Sequence, residues 1–201
     1  MLVLASSSPR RRQLLTQAGY RFQVHPAHIP EDPQPREDPI VYVTRLAREK
    51  AEAVFRELTI DNSLEKDCLD GQSSSLVVLG ADTTVALDNI ILGKPEDAAD
   101  AVRMLRLLSG RTHRVITGVA VVTAKGAEVA AEATAVRFLT LSDTEIAGYV
   151  ASGEPMDKAG AYAIQGRAAR WIPRIEGCYF NVMGLPLALV CSLLEPCDSL
   201  I

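Results

Sequence analysis

Leu2-Val3-Leu4-Ala5-Ser6-Ser7-Ser8-Pro9-Arg10-Arg11-Arg12 opens the chain after Met1 and sets how the rest is read. The four apolar residues suit a short buried strand. Ser8 is a natural N-cap and Pro9 a natural first helical residue, so a helix is expected from Pro9 to about Ala18, stopping near Gly19. A helix start carries partial positive charge and unpaired N–H groups, which favour acidic residues in the first turn. Three arginines stand there instead. Each is unfavourable by roughly a few tenths of a kcal/mol unless an anion sits at the helix start. Strand, serine turn and basic helix start together make a cradle for a polyphosphate; a solvated cluster making surface ion pairs would use the same residues.

Outward from this segment, Tyr20 to His25 reads as a second strand. Pro26 to Pro39 holds five prolines and is a loop. Ile40 to Leu58 is a long amphipathic helix, and Thr59 to Ser75 a polar surface excursion. Leu76 to Leu79 is an apolar strand ending in Gly-Ala-Asp. Thr83 to Leu92 forms a hairpin around Asp88-Asn89. A helix from Glu96 to Leu108 stops at Ser109-Gly110. His113 to Thr123 and Glu128 to Leu141 pair around Lys125-Gly126. Ser142 and Glu145 form a capping box for a helix to about Ala151. Trp171 to Ile175 and Tyr179 to Val182 read as a last hairpin around Glu176-Gly177, before a helix from near Pro186. No repeat is present and strands do not alternate strictly with helices. The fold class is α/β, with a mixed extended sheet and flanking helices.

At 201 residues the chain has room for one large domain or for two lobes sharing a core. The composition is that of an ordinary globular chain: 48% hydrophobic and 23% charged. A net charge of −4 argues against a general nucleic-acid binder, yet permits anionic small molecules if the cations converge on one cleft. The apolar start is too short for a signal peptide, with its basic residues on the wrong side, and no segment is long enough for a membrane span. Cys68, Cys178, Cys191 and Cys197 show neither CxxC nor metal-ligand spacing, so reduced thiols and a cytoplasmic location are expected.

Two further residues contradict their settings. Val43, Ala47, Val54 and Leu58 make one helical stripe, and Lys50 falls near its middle. A lysine there is paired, snorkels out or points into a cleft. Asp82 ends an apolar strand beside Gly80, where α/β sheets open to ligands; it caps a turn, binds a metal or accepts a proton from water. Lys94 in Gly93-Lys94-Pro95 and Lys158 in Asp157-Lys158-Ala159-Gly160 add loop cations. Gln165-Gly166 adds an amide that both donates and accepts. Glu31 lies in the proline-rich acidic loop.

Taken together these segments resemble the Maf family of nucleotide pyrophosphatases. The resemblance rests on Leu4-Ala5-Ser6-Ser7-Ser8-Pro9-Arg10-Arg11, Leu46-Ala47-Arg48-Glu49-Lys50-Ala51, Gly80-Ala81-Asp82-Thr83, Gly93-Lys94-Pro95, Leu108-Ser109-Gly110, Asp157 to Tyr162, Gln165-Gly166 and Gly184-Leu185-Pro186, in the family's order and across nearly the whole chain. It implies an inosine-triphosphatase-like fold with a cleft between two lobes. It also implies hydrolysis of a nucleoside triphosphate between the α- and β-phosphates, dependence on Mg²⁺ or Mn²⁺, and often a homodimer. By that resemblance Asp82 is the proton acceptor, and Ser6, Arg11, Lys50, Lys94 and Lys158 are phosphate-side residues. Glu31 is an acidic partner of Asp82 at the metal. Arg10, Thr83 and Gln165 match the branch acting on dTTP and UTP rather than the 7-methyl-GTP branch. Two rivals stand beside this: a nucleotide-binding regulator of septum formation with little hydrolysis, which would keep the cations but would not need Asp82, and a pyrophosphatase for a different nucleotide such as 7-methyl-GTP.

Overall fold

β1 (Leu2–Leu4) lies parallel between β2 (Phe22–Val24) and β3 (Val77–Leu87). Beyond β3 the sheet turns antiparallel, through β5 (Thr112–Thr123) and β6 (Gly126–Arg137) to β7 (Arg174–Glu176). β4 (Ile90–Leu92) pairs antiparallel with the far end of β3. The sheet order is β2-β1-β3-β5-β6-β7, with β4 off that path. This mixed α/β sheet with flanking helices is the expected class. The computed structural model describes residues 1–64 and 76–195; residues 65–75 of the expected excursion, with Cys68, and also Cys197 lie outside these.

β3 and β5 pair in register from Val78↔Val122 to Ala86↔Arg114, and their side chains alternate between the two faces. One face takes α2 (Pro39–Leu64), which buries Ala47, Ala51 and Val54 against Val78, Ala120 and Val122. α2 comes so close that a Cβ at Gly80 would stand 2.1 Å from Ala47 O, and one at Gly118 2.3 Å from Val43 O. These two glycines are the price of laying a helix backbone directly on the strands. The opposite face carries two apolar clusters. α1 (Pro9–Gln17) and α6 (Leu187–Leu194) cover Leu79, Ala81, Val119 and Val121. α3 (Ala98–Leu108) and α4 (Asp143–Val150) cover Val85, Leu87, Val115, Val136 and Phe138.

Several expectations hold at the level of local chemistry. Ser8 caps α1, accepting from Arg11 N at 3.5 Å. Ser142 and Glu145 form the capping box of α4. Asp88 (φ 49°) and Asn89 (φ 66°) make the β3–β4 turn with two left-handed residues, as a two-residue hairpin requires. Cys178 and Cys191 are free thiols.

Four expectations are corrected. α2 runs to Leu64 instead of ending at Leu58, because no glycine or proline interrupts it there. β3 is one strand from Val77 to Leu87, so Asp82 sits mid-strand rather than at a strand end. β6 stops at Arg137 rather than Leu141: Phe138 N still bonds Arg111 O in register with β5, and Leu139 N then leaves the ladder to bond Trp171 O. The last hairpin does not form: β7 pairs with β6, and Tyr179–Met183 is α5, a short helix. Gly184 (φ 108°) closes α5 in the left-handed conformation, and Asn181 anchors it by donating to Val115 O and Thr134 Oγ1, both at 2.9 Å. Tertiary anchoring overrides the β propensity of Tyr, Phe and Val.

Candidate active site

β1 pairs with β3 only over Val77–Leu79, and β4 only over Val85–Leu87. Between them, from Gly80 to Thr84, one edge of β3 has no strand neighbour. A cleft of about 850 Å³ opens at this gap, large enough for a nucleotide-sized ligand. Its lining includes Ser6, Arg10, Arg11, Glu31, Lys50, Asp82, Thr83, Lys94 and Lys158. Residues spread over more than 150 positions of the chain thus meet in one place.

The bare edge of β3 is closed by Arg11, which is only 9% exposed. Nη1 donates to Ala81 O at 2.7 Å and to Ser6 Oγ at 3.2 Å. Nε donates to Gly184 O at 2.8 Å, and Nη2 to Thr83 Oγ1 at 2.9 Å. Guanidinium has five N–H donors, so a single Nη2 hydrogen is left for anything in the cleft. Burial pushes the Arg11 guanidinium down from its ordinary value, against the charges of Asp82 and Glu31. Arg10, half-buried, lines the cleft, whereas Arg12 is exposed on the solvent side of α1. The three first-turn arginines therefore divide into a brace, a wall and a surface charge.

Alternation along β3 sends Asp82 to the α2 face and Thr83 to the opposite one. Lys50 of α2, 7% exposed, meets Asp82, also 7% exposed. Its Nζ donates to Asp82 Oδ1 at 2.7 Å and lies 2.7 Å from Glu31 Oε1. The misplaced lysine of the apolar stripe is thus paired and in the cleft rather than snorkelling. Burial alone would raise the Glu31 carboxyl. The Lys50 hydrogen bond and charge, with the charges of Lys94 and Arg11, outweigh it and hold the group below the usual carboxylate range.

Glu31 comes from the proline-rich loop, and α2 ties that loop down. Tyr42 Oη donates to Glu31 O at 2.7 Å, and burial, with the nearby Asp82 and Glu31 charges, pushes its hydroxyl up to about 12, so it stays a neutral donor. Arg45 donates to Asp32 O and to both oxygens of Glu37. Neither anchor stands out in the sequence, where each is an ordinary polar helix residue.

Lys94 is exposed at the far wall. Gly160 N donates to Gly93 O at 2.9 Å, joining the Lys94 loop to the one carrying Lys158, which pairs with Asp157. Gly160 (φ 66°) packs where a Cβ would stand 2.8 Å from Val85. Gln165 is exposed and is not part of the cleft wall; Tyr162 and Ile164 are. The structure brings together every other residue expected at the site.

A profile for Maf-like proteins matches residues 1–197. The chain belongs to the Maf-like family. Full-length relatives agree. A protein of Koribacter versatilis is 49% identical over 194 residues, 96% of this chain and 93% of the relative. One from Citrifermentans bemidjiense is 49% identical over 201 residues, 99% and 96% of the two chains. One from Chromobacterium violaceum is 50% identical over 186 residues, 92% and 89%. All three relatives bear the name dTTP/UTP pyrophosphatase.

Proposed function

We propose that the protein hydrolyses nucleoside triphosphates, dTTP and UTP first among them, to the monophosphate and pyrophosphate. The observation that carries this is Asp82 held by Lys50 at the gap in the sheet edge, with Ser6, Lys94 and Lys158 on the walls around it. The relatives' shared name supports the pyrimidine substrates, and Arg10 and Thr83 stand at the cleft in agreement.

In this reading Ser6 and the first-turn N–H groups of α1 hold phosphate oxygens, where the helix dipole favours negative charge. Lys94 and Lys158 receive the charge that develops on the leaving pyrophosphate. Lys50 occupies Asp82 Oδ1, fixing the carboxylate and leaving Oδ2 to take a proton from the water that attacks the α-phosphorus. Arg11 orders Ser6 and adds positive potential, with one N–H for an oxygen.

The cleft's charge balance bears on a metal. Arg10, Arg11, Lys50, Lys94 and Lys158 share the lining with Glu31, Asp32, Asp82, Glu96 and Asp157, so a triphosphate would bring charge that this wall does not neutralise. No group of three or more His, Cys, Asp or Glu that could cage a metal occurs among the described residues. Two carboxylates beside a phosphate site suit Mg²⁺ or Mn²⁺, which bind through one or two carboxylates plus phosphate oxygens. Glu31 and Asp82 would hold that cation, which would supply Lewis-acid stabilisation of the developing charge.

The partner is then a small-molecule nucleotide, and the protein a cytoplasmic one acting as monomer or homodimer. No helix among the described residues is long and apolar enough to cross a membrane, and the free Cys178 and Cys191 suit a reducing compartment. The test is pyrophosphate release from a panel of nucleoside triphosphates with Mg²⁺, Mn²⁺ or chelator. Release from dTTP and UTP is expected; preference for 7-methyl-GTP, or no release at all, would refute the proposal.

A further inference from the structure

We infer that Thr117 is a positioning residue for nucleotide binding: its hydroxyl takes the Thr83 hydrogen, turns the Thr83 lone pairs toward Arg11 and so fixes the guanidinium across the open edge of β3. The inference rests on the functional reading above. Thr117 lies on β5 directly opposite Thr83 and is fully buried. Its neighbour Gly118 faces α2, so alternation turns Thr117 to the other face, toward α5.

The direction of the hydrogen bonds follows from counting hydrogens. Thr117 Oγ1 donates its one hydrogen to Asn181 O at 3.1 Å. The 3.0 Å contact between Thr83 Oγ1 and Thr117 Oγ1 must then be donated by Thr83. With its hydrogen spent, Thr83 Oγ1 can only accept, and it accepts from Arg11 Nη2 at 2.9 Å. The one alternative outlet for the Thr83 hydrogen, Gly184 O, is farther at 3.4 Å and already receives Arg11 Nε at 2.8 Å. A single file results: Arg11 to Thr83 to Thr117 to the Asn181 carbonyl. Its end is anchored, since the fully buried Asn181 donates to Val115 O and Thr134 Oγ1. Bonds aligned in one direction strengthen each other in a dry interior.

Two consequences follow. The Thr83 hydroxyl is not available as a donor to a base or a phosphate, so Thr83 acts on the nucleotide through Arg11. The placement of Arg11 depends in turn on a strand residue that does not line the cleft.

The test compares Thr117→Val, which keeps the shape and loses the hydroxyl, with Thr117→Ser, which keeps the hydroxyl. Kinetics with dTTP are paired with calorimetric binding of an α,β-imido analogue of dUTP in chelator. For Thr117→Val, KM and the analogue Kd should each rise about tenfold, the loss of one well-placed hydrogen bond, with kcat within about threefold. Thr117→Ser should stay near wild type. In an Arg11→Lys background the Thr117→Val change should add little, because the file is already broken. Should Thr117→Val not fold, Thr117→Cys, a near-isostere with only a weak donor, carries the same expectation. Wild-type KM and Kd in a hydroxyl-free variant that merely melts earlier would overturn the inference. A wild-type protein without hydrolysis would refute the functional reading instead and leave the binding comparison to judge Thr117.

Discussion

The Lys50 ammonium donates to Asp82 at 2.7 Å, joining the middle of α2 to the middle of β3. Their side chains are 8% and 10% exposed. Neither charge could be buried so far without the other, because desolvating a lone ion costs several kcal/mol. The same ammonium reaches Glu31, whose side chain is 47% exposed. The lysine therefore sits between an inner carboxylate and an outer one, and the pair faces the gap in the sheet edge.

Lys50→Met should leave Asp82 buried without its partner and lower stability by about 3 kcal/mol, the usual cost of removing one member of a buried pair. Urea unfolding at neutral pH measures it. An unchanged midpoint would mean that Asp82 is solvated in the cleft without the lysine.

Asp82→Asn keeps an oxygen to accept from Lys50, so the fold and nucleotide binding should survive. Turnover of dTTP should fall by about a hundredfold or more, because an amide cannot take the proton. Wild-type turnover in this variant would remove Asp82 from the chemistry.

Gly80→Ala places a Cβ 2.1 Å from Ala47 O, a backbone contact that no side-chain rotation relieves. A loss of about 3 kcal/mol or more is expected as α2 is pushed off β3. Activity should fall with it, since Lys50 rides on α2. A thermal melt and a dTTP assay on one preparation check both.

His113, 2% exposed, shares a 2.7 Å hydrogen bond between Nε2 and Tyr162 Oη. Burial lowers its pKa to about 4. The unfolded chain, near 6.5, then binds the proton first as pH falls, so stability is full above about 6.5 and is lost progressively down to about 4. The loss attributable to this group is about 3 kcal/mol. Glu31, held below the usual range, keeps its charge through the upper part of that window. Denaturation curves of wild type and His113→Gln from pH 7 to 4 should converge by that amount; parallel curves would contradict the burial effect.

The legible part of the sequence was the part decided within a few residues. The strand, serine turn and proline-started helix, the capping box at Ser142, and the left-handed pair Asp88-Asn89 each specify their structure locally. Lys50 was legible as an anomaly, a charge in an apolar stripe, but only the fold decides that it pairs instead of snorkelling. What depended on distant contacts was not legible. Tyr179 to Val182 looks like a strand until Asn181 is anchored to β5 and β6. The gap between β1 and β4 follows from pairing registers that no local pattern shows. Arg11 looks like a phosphate ligand with five donors, and only the fold reveals that four are spent on Ser6, Ala81, Thr83 and Gly184.

Hydrolysis of dTTP in ¹⁸O-labelled water tests the account at its centre, because it asks which phosphorus the water attacks. With Asp82 serving a water at the α-phosphorus, mass spectrometry should find the label in thymidine monophosphate and none in the pyrophosphate. Label in pyrophosphate or orthophosphate, with unlabelled nucleotide, would place the attack elsewhere and contradict the assignment of the cleft.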